Sequence, residues 1–493
     1  MNKIILLFLL FSLNSKGQNF EKEIDLFSEN GEAAVNSVFH NDAIYITAGG
    51  FCNSISCMSV VKMDLSGDFL WIRTFNWTDS ANEDGMVIRN DSIFISTHDS
   101  WSDNDWNYHY LLLNTDGDSL NHFTYNYDNN SFSQLANDGL LLDGNEITMY
   151  GSVRNTDTTI VGVLHKINIE GDLIAKKFVT INDDNYNYVK ELRKHEGEVY
   201  ALVRKETTGI EDKRYITRID KLLNVEVLWN TPDNRKLQRV SDEMNITSDE
   251  NFVLIDMLDA FGHNINIKCL SPDFSELWTY YFPVSTTNGW PQQNVIDLEV
   301  TSDDKVVGCG NIIYESNLTG ELERAAYIFL LSKDGELIWD HYYAGYDYEN
   351  EFHYSSSLID IKPLPDGSFM AVGRIDKSEG VRNGWIIRVD ENGCLLQEQC
   401  EGQEHWLTSV VDDEVINYSK LVYPNPVINQ IHLNKHIPNN SSYNIYNIQG
   451  ALVKSGQISM TRVIDSYDLD AGIYFINIYD KRYSTSSKFI KLE

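Results

Sequence analysis

The sequence predicts an all-β protein, a seven-bladed β-propeller followed by a small C-terminal β-sandwich. Three observations predict it. One strand–turn–strand unit recurs seven times, no stretch carries a sustained helical period, and a compact run of alternating strands closes the chain.

The repeated unit is an apolar strand, a turn rich in Asp, Asn and Gly, and a second strand with an aromatic residue near its start. Clear copies are Val60–Trp71, Tyr110–Leu120, Leu164–Ile174, Ile328–Trp339 and Ile386–Leu396, with degenerate copies at Ile216–Trp229 and Ile265–Trp278. Upstream of the clear copies lies a second turn between strand-like runs, as at Asn90–Ile95, Asp143–Thr148 and Pro365–Met370. Each repeat therefore carries about four short strands, the composition of a propeller blade. Trp71, Trp229, Trp278 and Trp339 are then expected to wedge between adjacent blades. The stretch Phe20–Leu26 has no strand partner of its own before the first unit, and the last unit ends weakly at Cys394–Cys400. The N-terminal strand is expected to complete the last blade and remove an exposed edge.

The chain has 493 residues, too many for one ordinary core, which agrees with a repeat array plus a second domain. Its 39 Lys and Arg against 73 Asp and Glu leave a formal charge of −34. So acidic a surface repels phosphate backbones and anionic lipid, which sets aside nucleic acid and peripheral membrane binding and suits a soluble exported protein.

The first residues read as an export signal. Lys3 supplies a positive start, Ile4–Phe11 is an apolar run too short to span a bilayer, and small residues precede a cut after Gly17. No later run is long enough for a transmembrane segment. The expected domains are a signal peptide over 1–17, a propeller over 18–400, an acidic linker over 401–420 and a C-terminal module over 421–493.

Six cysteines fit an oxidising destination. Cys52 with Cys57 and Cys394 with Cys400 could each close a small loop, whereas Cys269 and Cys309 sit in apolar runs with their pairing open. No spacing fits a zinc site.

The string Gly384-Trp385-Ile386-Ile387-Arg388-Val389-Asp390-Glu391-Asn392-Gly393 resembles the Trp-containing repeats of bacterial seven-bladed propellers, a resemblance covering most of 18–400 and loosest in units four and five. The tail is more specific. It contains Leu421-Val422-Tyr423-Pro424-Asn425-Pro426-Val427, a strand and turn ending at Gln449-Gly450, the run Ala471-Gly472-Ile473-Tyr474, and Lys488-Phe489-Ile490-Lys491-Leu492. These read as alternating strands with turns at Asn425-Pro426, Gln449-Gly450 and Ala471-Gly472. Together they resemble the type A C-terminal sorting domain of the type IX secretion system of Bacteroidetes. The matching positions are Pro424, Asn425, Pro426, Gly450, Gly472, Tyr474 and Lys488. The resemblance implies passage through the periplasm, export across the outer membrane by the type IX machinery, and surface anchoring or release.

No catalytic constellation stands out, and the catalytic residues stay unassigned. Ser332–Trp339 is similar to the Asp-box of sialidases with its Gly one place early, and reads more simply as a hairpin whose Asp accepts backbone hydrogen bonds. Quinoprotein propellers of the alcohol-dehydrogenase group carry an adjacent Cys-Cys pair that this chain lacks. No cofactor is required. Calcium has only the oxygen-rich loops His98–Asn107 and Asn182–Asn185 in its favour; the first lacks the turn Gly and closing Glu of an EF-hand, and both read better as solvated loops. Trp101, Trp106 and Tyr108, with Trp290 further on, are the candidate ligand-binding aromatics, since flat rings beside Asn and Asp suit sugar stacking; the alternative is a lid over the blade ends.

These observations favour a non-enzymatic binding or adhesion module for a glycan or protein, secreted or displayed at the cell surface. The alternatives are a glycan-active hydrolase or lyase with paired carboxylates on one face of the propeller, and a surface-structural component.

Overall fold

In the computed structural model every regular element among the described residues is a strand. The structure describes residues 20–24, 29–52, 55–75, 85–98, 107–126, 132–155, 159–181, 186–207, 211–231, 242–257, 265–282, 293–315, 322–347, 352–376, 382–395, 404–408, 422–423, 427, 429–433, 441–448, 451–459, 462–479 and 484–492. Two compact units divide at Ser409/Val410.

The first unit is the propeller. Five antiparallel four-stranded sheets cover 29–75, 85–126, 132–179, 187–230 and 244–281 and form blades 1 to 5. The strands of 293–347 make blade 6, and those of 352–389 supply three strands of blade 7. The fourth is Phe20–Ile24, antiparallel to Arg382–Val389 in the register Phe20↔Arg388 to Ile24↔Gly384. The N-terminal segment thus completes the last blade, as its lack of a local partner predicts. The first strand of each blade meets the first strand of the next, and that of blade 7 meets that of blade 1, so seven blades form a closed ring.

Seven equivalent turns join the third and fourth strands. In each, the first residue donates its N–H to the carbonyl four residues on and accepts the N–H three residues on: Asp64, Asn114, Asn168, Asp220, Ser271, Ser332 and Asp390. In six of them the side chain of that first residue also accepts the N–H four residues on, as Asp64 does from Asp68 and Ser332 from Glu336. The acceptor in the stretch that resembles an Asp-box is therefore Ser332, not Asp334. The fourth residue has positive φ in every copy. It is glycine at 67, 117, 171, 335 and 393, but Leu223 (62°) and Phe274 (64°) in blades 4 and 5. Those two replacements are why the repeat is faint there.

Each such turn receives an aromatic or apolar side chain from the preceding blade. Trp71 donates to the Thr115 carbonyl, Trp278 to that of Lys333 and Trp339 to that of Glu391, and their rings lie over Gly117, Gly335 and Gly393. Trp229 packs with Phe274. The expected role of these tryptophans as wedges between blades holds, with the indole N–H fixing the rings of Trp71, Trp278 and Trp339 in place.

The stretch 401–420, expected as a plain linker, opens with the strand Glu404–Thr408, which pairs in parallel with Tyr342–Tyr346 on the outer edge of blade 6.

The second unit is a sandwich of two sheets. One holds Val422–Tyr423, Gln430–Leu433 and Val463–Asp465, and the other Leu452–Gln457, Ser442–Asn447, Gly472–Tyr479 and Ser484–Lys491. Ile431, Ile445, Ile464, Ile476 and Phe489 fill the space between them.

Candidate functional site

Antiparallel alternation puts two kinds of connection at opposite ends of the ring. Tight turns, such as those at 41–42 and 144–145, join first to second strands and share an end with the seven third-to-fourth turns. The strand ends that lead into the second-to-third and blade-to-blade connections lie at the other end, the loop end.

The first strands line the ring, and five of them carry a β-bulge at the same place, in blades 1, 3, 4, 6 and 7. The residues just after the bulge are Asn36, Gly139, Glu191, Asp297 and Asp360, so this position is acidic in blades 4, 6 and 7. A bulge re-aims the side chain that follows it, and here each acid is aimed at backbone or hydroxyl groups of a neighbouring blade, the next one for Asp297 and Asp360 and the preceding one for Glu191. Asp360 accepts the Ser37 N–H at 2.9 Å and also the Ser37 hydroxyl. Asp297 accepts the Ile361 N–H at 2.8 Å and the Leu298 N–H at 2.9 Å. Glu191 accepts from Tyr150 of blade 3 at 3.2 Å and pairs with Arg193 at 2.7 Å.

Two residues further along, Lys362 bridges Asp360 at 2.8 Å and Glu299 at 2.6 Å, and Asn245 donates to the Leu298 carbonyl at 2.8 Å. Burial alone would lower the Lys362 pKa; the carboxylates of Asp360, Glu299 and Asp297 outweigh it and hold the ammonium well above its ordinary value. Burial likewise opposes ionisation of Glu299, and Lys362 with Arg193 overcomes it and keeps that carboxyl low. Asp297 goes the other way. Burial, with Asp360 and Glu299 nearby, pushes it up to about 8. Glu243 is raised well above the carboxylate range by desolvation and then by Glu191 and Asp297.

A second ionic cluster lies toward the loop end between blades 3, 4 and 5. Asp242 accepts from Arg214 at 2.7 Å and Arg204 at 2.9 Å, and Arg214 also donates to the Ile255 carbonyl. Asp138 pairs with Lys190 at 2.7 Å, and both Lys190 and Arg204 lie over the Tyr188 ring. Sequence reasoning missed both clusters. Their members stand about one repeat apart and read locally as ordinary strand alternation, although Arg204↔Arg214 directly across two strands is an unusual juxtaposition of like charges.

The aromatics singled out from the sequence separate. Trp101, Trp106 and Trp290 lie outside the described residues. Tyr108, expected among the loop aromatics, is instead within the strand Asn107–Asn114. It is fully buried against Val153 and Val163 and edge-on to His165, so its face is closed to a sugar. The candidate calcium loops 99–106 and 182–185 are also outside the described residues. Among described residues, His195, Glu196 and Glu250 bring three donor groups together at the tight-turn end. Cys57 and Cys394 are each disulfide-bonded, Cys52 and Cys400 lie outside the described side chains, and Cys269 and Cys309 are buried free thiols. Among the described residues no helix is long and apolar enough to cross a membrane.

In the second unit Gly472 opens a strand, Tyr474 is buried, stacked on Phe489 and bonded to the Asp470 carbonyl at 2.8 Å, and Lys488 is exposed. Pro424, Asn425, Pro426 and Gly450 lie outside the described residues. Residues 421–492 match the family described as a secretion system C-terminal sorting domain. This tail is a type IX sorting domain. A sorting domain implies engagement with the secretion machinery and export, to the cell surface or the medium.

No curated protein is significantly similar in sequence to the chain. Among solved structures, polysaccharide lyase Uly1 is similar with 10% identity and a TM-score of 0.45, over 74% of this chain and 90% of that one. A protein of unknown function from Dyadobacter fermentans has 9% identity and a TM-score of 0.41, over 76% and 96%. The β-xylosidase/α-arabinofuranosidase CoXyl43, from a compost microbial metagenome, has 12% identity and a TM-score of 0.30, over 52% and 92%. Likeness at this level assigns no activity to the chain ahead of its sorting domain.

Proposed function

We propose that the propeller is an exported binding module that recognises a glycan or protein with the connections at its loop-bearing end. It enters the periplasm by the signal peptide over 1–17 and leaves through the type IX system. One observation carries this reading. The inward carboxylates of blades 4, 6 and 7 are committed to neighbouring blades: Glu191 to Tyr150, Asp297 to Ile361, and Asp360 to Ser37. A general acid or nucleophile must reach substrate, and groups that already hold blade to blade are poorly placed to do so. Recognition then falls to the loop end, with Trp101 and Trp106 as the aromatic residues that the sequence offers for it.

The second reading is a glycan hydrolase or lyase. It is favoured by the raised carboxyls of Glu243 and Asp297, since acids held protonated near neutral pH are what glycosidic cleavage needs. One experiment separates the two. The mature chain, with and without calcium, is applied to a panel of polysaccharides and scored for retention and for new reducing ends. Retention without cleavage supports the binding module. Cleavage overturns it in favour of the enzyme, and neither outcome on any glycan removes carbohydrate as the ligand.

A further inference from the structure

The sorting domain carries an apolar surface where a two-sheet sandwich would ordinarily be polar. In its four-stranded sheet Tyr474, Ile476 and Phe489 face the core, so their neighbours in the strands face away. Register arranges those outward residues in rows. Ile473 sits opposite Ile490. The next row runs Lys488, Phe475, Tyr446 and Leu452 across all four strands. The following row turns polar, with Asn477 opposite Asn444 and Asn444 opposite Ser455. Ile473, Phe475, Ile490 and Leu452 are 43%, 45%, 38% and 55% exposed, and with the half-buried Tyr446 between Phe475 and Leu452 they make one apolar face across the four strands.

We propose that this face is the surface by which the secretion machinery holds the chain. The occupant is a component of that machinery presenting an apolar strip. Two arguments fix the occupant. The domain matches a family defined by sorting through a secretion system, so a surface for that system must exist on it. The apolar rows also contain Lys488 and begin immediately after Gly472, two of the positions at which this chain resembles the type A family. The inference rests on the reading of the chain as a type IX substrate.

The test uses the full chain in a host whose type IX system exports it, comparing Phe475→Glu, Leu452→Glu on a different strand, and Ser455→Glu on the polar row of the same face. Exported and periplasmic fractions are measured, and the periplasmic protein is melted. The expected result is a drop of about tenfold in export for Phe475→Glu and for Leu452→Glu, with the periplasmic protein still folded and Ser455→Glu exported like wild type. Export of folded Phe475→Glu and Leu452→Glu at the wild-type level overturns the proposal, as does equal loss from Ser455→Glu. Should Phe475→Glu fail to fold, Leu452→Glu decides alone. Failure of the wild-type chain to be exported would instead sink the reading as a type IX substrate.

Discussion

Phe20 lies over Gly67 so closely that a Cβ added at position 67 would sit 2.9 Å from its ring. Phe20 belongs to the strand that completes blade 7, and Gly67 to the turn of blade 1. The contact is the same one that Trp71 makes with Gly117 and Trp278 with Gly335. The N-terminal strand therefore supplies both the missing edge of the last blade and the wedge that seals the ring.

The turn glycines should differ in their tolerance of a side chain by what lies above them. At Gly335, with φ of +81°, an added Cβ would come 2.5 Å from the Trp278 ring, whereas at Gly144, with φ of +61°, nothing lies within 4 Å. Gly144→Ala should cost only the left-handed backbone penalty, about 1–2 kcal/mol. Gly335→Ala should cost roughly twice that because the indole must also move. Thermal melting of the two variants side by side checks the difference.

Ile24 is buried among Ala34, Val372 and Ile386 at the blade 7 seam. Ile24→Ala should destabilise the propeller by about 2–4 kcal/mol through the cavity it leaves. Denaturant melts should show that loss, and limited proteolysis should show the N-terminal strand released first.

His165 should make the protein acid-sensitive in a defined window. Burial, with Lys176 nearby, lowers its pKa from 6.5 to about 4. Below pH 6.5 the unfolded chain takes up a proton that the folded chain refuses, so stability is lost as pH falls from 6.5 toward 4. The size of that loss is up to about 3 kcal/mol. His165→Gln, compared with wild type across this range, should show a shallower decline in melting temperature; parallel curves would count against it.

The cysteines should divide into two classes. Peptide mapping without reductant should recover the links Cys52–Cys57 and Cys394–Cys400. Cys269 and Cys309, buried free thiols, should be alkylated only after unfolding. Alkylation of either in the native protein, or a link joining the two pairs, would contradict this.

Much of the fold was legible because one physical demand repeats. A turn with positive φ under a ring needs glycine, and five of seven copies show it. Blades 4 and 5 were faint because Leu223 and Phe274 take that conformation without being glycine. The sorting domain was readable from its turns and alternating strands. The inner ring was not, since Asp360 and Ser37 are 323 residues apart and nothing local marks either one. Tyr108 was misplaced because it opens a strand directly after a polar stretch, where a buried and a loop aromatic look alike in sequence. The strand Glu404–Thr408 was hidden by its acidic, polar surroundings, and only pairing with blade 6 reveals it.

The most direct test of the account is the behaviour of Asp360→Ala, which removes the carboxylate joining blade 7 to blade 1. If the inner carboxylates serve the ring, the variant leaves the Ser37 N–H unpaired and buried and should lower stability by roughly 2–4 kcal/mol. Its retention on whatever ligand the wild type holds should be unchanged while it is folded. An unaltered melting curve, accompanied by loss of ligand retention or of turnover, would contradict the account and place chemistry at the centre of the ring.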